Sequence, residues 1–177
     1  PDPLADPKAL FRETTKAWVE DLGPPHFLPD GSFLILSERS GWKHLYHYTA
    51  EGRLLNQVTA GRFEVQNVLR VDPKAQVVYF TGSFGGPSGT HLYGANIHIH
   101  GNKPRYRLTQ GGHHQVTLAP EGPLFIDRFT DDKTPMQTRL EALPVPTQWP
   151  TQLEDNKVGR PEDEIAVLTE RVRVLDT

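Results

Sequence analysis

Histidine is the residue type whose spacing in this chain could most readily support chemistry, with eight copies in 177 residues. His98 and His100 are separated by one residue, so on a strand both imidazoles would lie on one face, and His113 and His114 follow further along. Imidazole is a common zinc ligand, but a third and a fourth ligand are not identifiable. Because alternating histidines beside a Gly-Asn turn are more typical of a solvent-facing hairpin end, we predict no metal and no cofactor.

Ser88 is the candidate nucleophile, within the stretch Gly-Pro-Ser-Gly-Thr at residues 86–90. A nucleophile elbow has the form Gly-x-Ser-x-Gly and places its serine between a strand and a helix. This stretch lacks the final glycine and lies between two predicted strands, which is typical of a polar loop tip. The chain also has no cysteine, and therefore no thiol nucleophile, thiolate metal site or disulfide. We predict no catalytic residue in this chain.

Composition restricts the fold and the classes of partner. The formal net charge is −3 at pH 7 and the pI is about 6.3, so the basic face that nucleic acid requires is not indicated. No apolar run approaches the roughly 20 residues of a membrane-spanning helix. Sixteen prolines and fifteen glycines disfavour long helices, because a proline inside a helix costs about 3 kcal/mol. We predict an all-β protein that binds no nucleic acid and spans no membrane.

An internal repeat indicates the elements that position these residues. His44-Leu45-Tyr46 recurs as His91-Leu92-Tyr93, at a spacing of 47 residues. A Thr-x-Gly turn recurs in the same way, since Thr59 and Thr109 are 50 residues apart. An apolar run precedes each His-Leu-Tyr, and a basic strand leads from it to the turn. We therefore predict that His44 and His91 are structural residues that tie a strand to a turn by hydrogen bonds.

Four strands in roughly 40 to 50 residues are typical of a β-propeller blade. We predict three four-stranded antiparallel blades of a β-propeller. Their residues are 17–61, 62–111 and 112–156. Residues 1–16 are predicted as an extended entry and a strand of a preceding blade, and residues 157–177 as an exit segment. The first strands of the blades are predicted at 17–22, 63–71 and 113–119, and the last strand of the third blade at 148–153. Apolar second strands should form the cores between blades.

Three stretches carry a family resemblance: residues 27–31, Phe-Leu-Pro-Asp-Gly; residues 37–46, Ser-Glu-Arg-Ser-Gly-Trp-Lys-His-Leu-Tyr; and residues 59–65, Thr-Ala-Gly-Arg-Phe-Glu-Val. They resemble the C-terminal half of the propeller in the dipeptidyl peptidase IV family. The resemblance extends from about residue 18 to Asn156. It implies an open part of a larger, eight-bladed ring that caps an α/β-hydrolase domain. It also implies a parent serine exopeptidase that removes N-terminal dipeptides with proline or alanine in second position.

Two functional parts of that family are missing from this sequence. No two glutamates are adjacent, so the clamp that holds the amino terminus of the substrate is absent. The serine, histidine and aspartate of the triad belong to the hydrolase domain. In the family the clamp lies upstream and the triad downstream, so we expect a middle piece of a longer chain. Inactive alone, it would gate and position the peptide substrate. The alternative is a non-enzymatic propeller that binds proteins or peptides.

Side chains that could contact substrate or join blades are few. Glu20 and Asp21 match the family region that walls the second pocket of the substrate, and we predict them as substrate-binding residues. Glu38-Arg39 and Asp127-Arg128 follow equivalent apolar strands and are candidates for ion pairs across blades, which contribute about 0 to 1 kcal/mol when exposed.

An open ring also predicts partners. Three blades cannot close, so the first and last blades should leave apolar faces bare, and we expect the chain to self-associate through them. The other expected partners are the peptide substrate and the missing hydrolase domain. The resemblance favours a periplasmic or secreted location as an alternative to a cytoplasmic one.

Overall fold

A computed structural model of the chain describes residues 9–10, 12–14, 23–84, 89–100 and 106–144. All regular elements in this part of the chain are β-strands, which confirms the all-β prediction. They are β1 (His26–Phe27), β2 (Phe33–Ser37), β3 (His44–Tyr48), β4 (Leu54–Gln57), β5 (Val65–Asp72), β6 (Val77–Gly82), β7 (His91–Asn96), β8 (Tyr106–Arg107), β9 (His113–Leu118), β10 (Leu124–Thr130) and β11 (Gln137–Ala142).

The strands form three antiparallel sheets, each a meander of strands that are consecutive in the chain. The first sheet has the order β1-β2-β3-β4, the second β5-β6-β7-β8 and the third β9-β10-β11. These sheets are consecutive propeller blades. The fourth strand predicted for the third blade, at 148–153, lies outside the described residues, as does the predicted exit segment.

Hairpin geometry follows the sequence closely in the first sheet. The turn before β2 is closed by a 3.0 Å bond from the Gly31 N–H to the Leu28 carbonyl, and the Asp30 carboxylate accepts bonds from the Ser32 N–H and hydroxyl. Across the next turn, Phe33 pairs with Tyr48 and Ser37 with His44. This register confirms the predicted hairpin.

The first strand of the first sheet in the described part of the chain was not predicted. The strand that we predicted at residues 17–22 lies entirely outside the described residues. The strand that pairs with β2 is β1, in the register His26 to Leu34 and Phe27 to Phe33. Pro24 and Pro25 indicated a break in the sequence, yet proline is compatible with the start of an edge strand, because that position needs no donor on its outer side.

Two apolar cores join the three sheets. Leu34 and Leu45 of the first sheet share one core with Val78, Phe80 and Tyr93 of the second. The opposite face of the second sheet forms the other core, in which Val77, Tyr79 and Leu92 pack with Val116, Phe125 and Leu143. Strand β6 is therefore buried on both faces, which explains its continuous apolar sequence.

The outer faces of the two terminal sheets differ from each other. We expected both to be bare. The outer face of the first sheet is instead buried, as a cluster of Phe33, Ile35, Tyr46 and Tyr48. On the third sheet, β10 alternates between buried and exposed residues, and its exposed side chains Leu124 and Ile126 lie beside Leu140 of β11. The apolar surface is thus open on the third sheet.

Candidate functional site

A cavity of about 340 Å³ opens between the first and second sheets. Its walls combine an amine, an imidazole, two amides and apolar side chains. They come from Gly23, Pro24, His26, Leu36, Lys43, Gln66, Asn67 and Val68. Apolar walls with a few polar groups suit a peptide, which carries backbone amides and side chains of both kinds.

Strand positions explain how the polar groups reach this cavity. His26 lies on β1 and Gln66 and Asn67 on β5, the first strands of adjacent sheets, and both strands are edge strands. Burial lowers the pKa of His26, so the imidazole is neutral at neutral pH. The Lys43 ammonium lies 3.8 Å from a carboxylate oxygen of Glu38. The cavity therefore offers neutral hydrogen-bonding groups and one cation.

The predicted substrate contacts Glu20 and Asp21 lie outside the described residues. Gly23, two residues after Asp21, lines the cavity. The cavity is thus close in sequence to the predicted contact region, although no residue pattern indicated a cavity at this place. Residues 85–88, which include the predicted polar loop tip and Ser88, also lie outside the described part.

Histidine 44 has the structural role that the repeat predicts. Its Nδ1 lies 3.2 Å from the Thr59 hydroxyl and its Nε2 lies 3.1 Å from the Gly61 carbonyl, so the ring joins β3 to the turn after β4. Burial lowers the pKa of His44, which keeps the ring neutral. A neutral ring satisfies both contacts, because the threonine hydroxyl can donate to Nδ1 while Nε2–H donates to the carbonyl.

Histidine 91 reaches its turn through an intermediary. The Arg107 guanidinium donates to His91 Nε2 at 2.8 Å and, through its Nε, to the Thr109 carbonyl at 2.9 Å. Burial and the nearby Arg107 charge lower the pKa of His91 to about 3. The prediction for His91 is therefore confirmed in its structural role, with an arginine link that sequence reasoning missed.

Three of the four candidate side chains, Glu38, Arg39 and Asp127, have partners in the described part of the chain that do not join two blades. Arg39 donates to Glu13 at 2.8 Å, Glu38 lies near Lys43 of its own sheet, and Asp127 lies 2.9 Å from His114 on the neighbouring strand. Their partners are fixed by strand register and by the segment at residues 12–14. A contact that does cross was not predicted: Arg70 of β5 donates to the Ala119 and Gly122 carbonyls at 2.9 and 2.8 Å.

The metal hypothesis finds no support in the described residues, where no group of three or more histidine, cysteine or acidic side chains could hold an ion. Strand β7 ends at Asn96, so His98 and His100 lie in the following turn and not on a strand as we expected. The His98 ring instead packs against His47 of the first sheet, with centroids 5.5 Å apart. Across the same described ranges no helix is long and apolar enough to cross a membrane.

Known proteins with related sequences are dipeptidyl peptidases. Residues 4–136 match the family described as dipeptidyl peptidase IV N-terminal region. The chain is 24% identical over 130 residues to dipeptidyl peptidase 4 of Trichophyton equinum, covering 71% of this chain and 17% of that protein. It is 31% identical over 88 residues to a probable dipeptidyl peptidase 4 of Aspergillus fumigatus, covering 46% of this chain and 12% of that protein.

A solved structure shares the fold. The crystal structure of Porphyromonas gingivalis dipeptidyl peptidase 4 superposes with a TM-score of 0.58 at 19% identity, covering 84% of this chain and 19% of that one. The chain thus spans less than a fifth of the length of these relatives. Because the family match includes most of the sequence and the sheets are arranged as propeller blades, the chain belongs to the dipeptidyl peptidase IV N-terminal region family.

Proposed function

We propose that this chain is a non-catalytic propeller segment of a dipeptidyl-peptidase-IV-like serine exopeptidase and that it gates and positions the peptide substrate. The observation that carries the proposal is the family match over residues 4–136 in a chain with consecutive β-blades. The sequence contains no Gly-x-Ser-x-Gly elbow, so the chemistry would belong to another part of the parent enzyme.

The cavity between the first two sheets is the place where peptide would touch this segment. Gln66 and Asn67 offer amide donors and acceptors, and Leu36 and Val68 offer apolar contact. The edge of β5 that faces away from β6 adds backbone groups that a peptide strand can pair with. In the described part of the chain, β5 is bonded only to β6 within its sheet. Glu20 and Asp21 complete the proposed contact region.

Activity measurements on two proteins test the proposal. The 177-residue chain should not release the chromophore from Gly-Pro or Ala-Pro chromogenic dipeptides, whereas the intact folded parent should. Turnover by the chain alone, or no turnover by the parent, would contradict the proposal. The alternative is a non-enzymatic propeller that binds peptides, and the coding sequence after Thr177 distinguishes it from the peptidase. A Gly-x-Ser-x-Gly elbow followed by aspartate and histidine supports the peptidase. A stop codon supports the binding module.

A pair of matched variants tests the cavity itself. Gln66→Ala in the parent should raise KM for dipeptide substrates with little change in kcat, because it removes a binding group far from the chemistry. Gln115→Ala is the control, since Gln115 is an exposed glutamine on the first strand of the third sheet. Equal kinetics for the two variants would place the peptide elsewhere.

A further inference from the structure

His114 is buried between the second and third sheets with an acceptor at each ring nitrogen. Its Nδ1 lies 3.0 and 2.9 Å from the two carboxylate oxygens of Asp127, and its Nε2 lies 2.7 Å from the Gly111 carbonyl and 3.2 Å from the Gln110 carbonyl. The two side chains of the pair are 3% and 2% exposed. Water is therefore excluded from both.

The proton count follows from these contacts. A carbonyl oxygen only accepts hydrogen bonds, so Nε2 must carry a hydrogen to bond Gly111. If Nδ1 carried none, its lone pair would face the lone pairs of a buried carboxylate. The arrangement is satisfied when Nδ1 also carries a hydrogen, and the imidazolium charge then balances the carboxylate of Asp127. The pair thus holds one proton more than a neutral imidazole beside an ionised carboxylate.

We propose that the His114 imidazolium and the Asp127 carboxylate form an ion-paired latch between the second and third sheets. The latch holds the turn after β8 through Gly111. It also lies on the seam, because the His114 N–H donates to the Thr90 carbonyl at 3.0 Å and the ring packs 5.2 Å from His91 and 5.1 Å from Phe129, measured between centroids.

Other charged and titratable groups surround the latch. Arg107 on β8 and His113 on β9 lie near His91 on β7, whose ring packs against His114. Arg139 on β11 covers the Phe129 ring, and Asp131 follows β10 beside Gly112. Burial lowers the pKa of His91 to about 3, with Arg107, His114 and His113 acting in the same direction, so His91 stays neutral beside the latch. The counter-ion of the His114 imidazolium is Asp127.

The seam between the first and second sheets provides an internal comparison. The equivalent turn carbonyl, Gly61, accepts from His44, whose other nitrogen faces a hydroxyl instead of a carboxylate. A neutral ring satisfies His44, as described above. The Gly61 and Gly111 carbonyls thus accept from histidines that differ in protonation state.

Histidine nitrogen NMR on the 177-residue chain tests the protonation state directly. At neutral pH the signals of His114 should show two N–H nitrogens, and those of His44 one N–H and one unprotonated nitrogen. In Asp127→Asn, whose side-chain amide can donate to Nδ1, His114 should change to one N–H and one unprotonated nitrogen. A wild-type His114 with an unprotonated nitrogen at neutral pH would overturn the proposal.

The NMR result in the wild type stands even if a variant does not fold.

Discussion

The hydroxyl of Thr109 accepts a hydrogen bond of 2.9 Å from the backbone N–H of Leu92. Thr59 accepts the equivalent bond, at 3.0 Å, from Leu45. In both sheets the threonine side chain therefore satisfies a buried donor of the third strand at the place where the fourth strand ends. The Thr-x-Gly repeat in the sequence reflects this backbone requirement, because the buried N–H group of the third strand would otherwise remain unpaired.

Replacing Thr109 by valine tests this role. Thr109→Val keeps the shape of the side chain and removes the acceptor, so the Leu92 N–H is left buried and unpaired at a cost of about 1–3 kcal/mol in unfolding free energy. Urea denaturation measures the loss. Thr117→Val is the control, because Thr117 is exposed on β9 and its replacement should change the free energy by less than about 0.5 kcal/mol. Equal losses for the two variants would contradict the role of Thr109.

Gly52 and Gly122 distinguish two costs of adding a side chain: the clash of the added Cβ with its neighbours and the strain of a left-handed backbone. Gly52 has a φ of 86°, and a Cβ at this position would lie 2.2 Å from the Leu10 carbonyl oxygen. Gly122 has a φ of 77° with open space around it. We expect Gly122→Ala to cost about 1 kcal/mol from its left-handed backbone. Gly52→Ala should cost more and should also increase hydrogen exchange at Leu10. Denaturation and exchange measure the two effects, and equal costs would contradict the close approach.

The lowered pKa of His91 predicts an acid-dependent loss of stability. The folded ring stays neutral down to about pH 3, whereas an unfolded histidine takes up a proton below about pH 6.5. The stability that the neutral His91 ring contributes to the folded state is therefore complete above pH 6.5. It is lost as pH falls toward 3, and the unfolding equilibrium constant rises by up to about tenfold per pH unit. His91→Gln, which can still accept from Arg107, should flatten this part of the stability profile. An unchanged slope between pH 6.5 and 3 in His91→Gln would contradict this contribution.

The exposed face of the third sheet predicts self-association. Leu124, Ile126 and Leu140 are 46%, 44% and 71% exposed, and Ile126 pairs directly with Leu140. We propose that this face joins two copies of the isolated chain. Ile126→Lys should shift sedimentation toward the monomer at high concentration, with little change in stability. Leu54→Lys introduces the same charge at an exposed leucine of β4 in the first sheet and should not. A wild-type chain that stays monomeric at high concentration would contradict the proposal.

Much of the fold could be predicted because the repeat and the apolar runs are local signals. The His-Leu-Tyr strands, the apolar second strands and the role of His44 all follow from residues near in sequence. Strand β1 was missed because two prolines dominate the local pattern around it. Its existence depends on an open edge of β2, which only the assembled sheet provides.

The contacts across the seams were harder to foresee. Arg70 meets carbonyl groups about 50 residues away, and no sequence pattern specifies such a partner. The sequence contains an indication of the pair of His114 and Asp127, although it is weaker than the repeat. Asp127 occupies a buried position between Phe125 and Phe129 in an alternating strand, and a carboxylate on that face requires a partner. The cavity depends on how two sheets meet, which the sequence does not encode locally.

Every hydrogen-bonded strand pair in the described part of the chain joins strands that are consecutive in sequence. The first sheet is complete between residues 26 and 57 and the second between residues 65 and 107. Loops that close within so few residues lose little chain entropy, so each sheet can form early and quickly. During synthesis a blade could fold soon after its last strand leaves the ribosome, and the seams would close later as each new blade reaches its neighbour. This topology thus favours folding of the blades in the order of their synthesis.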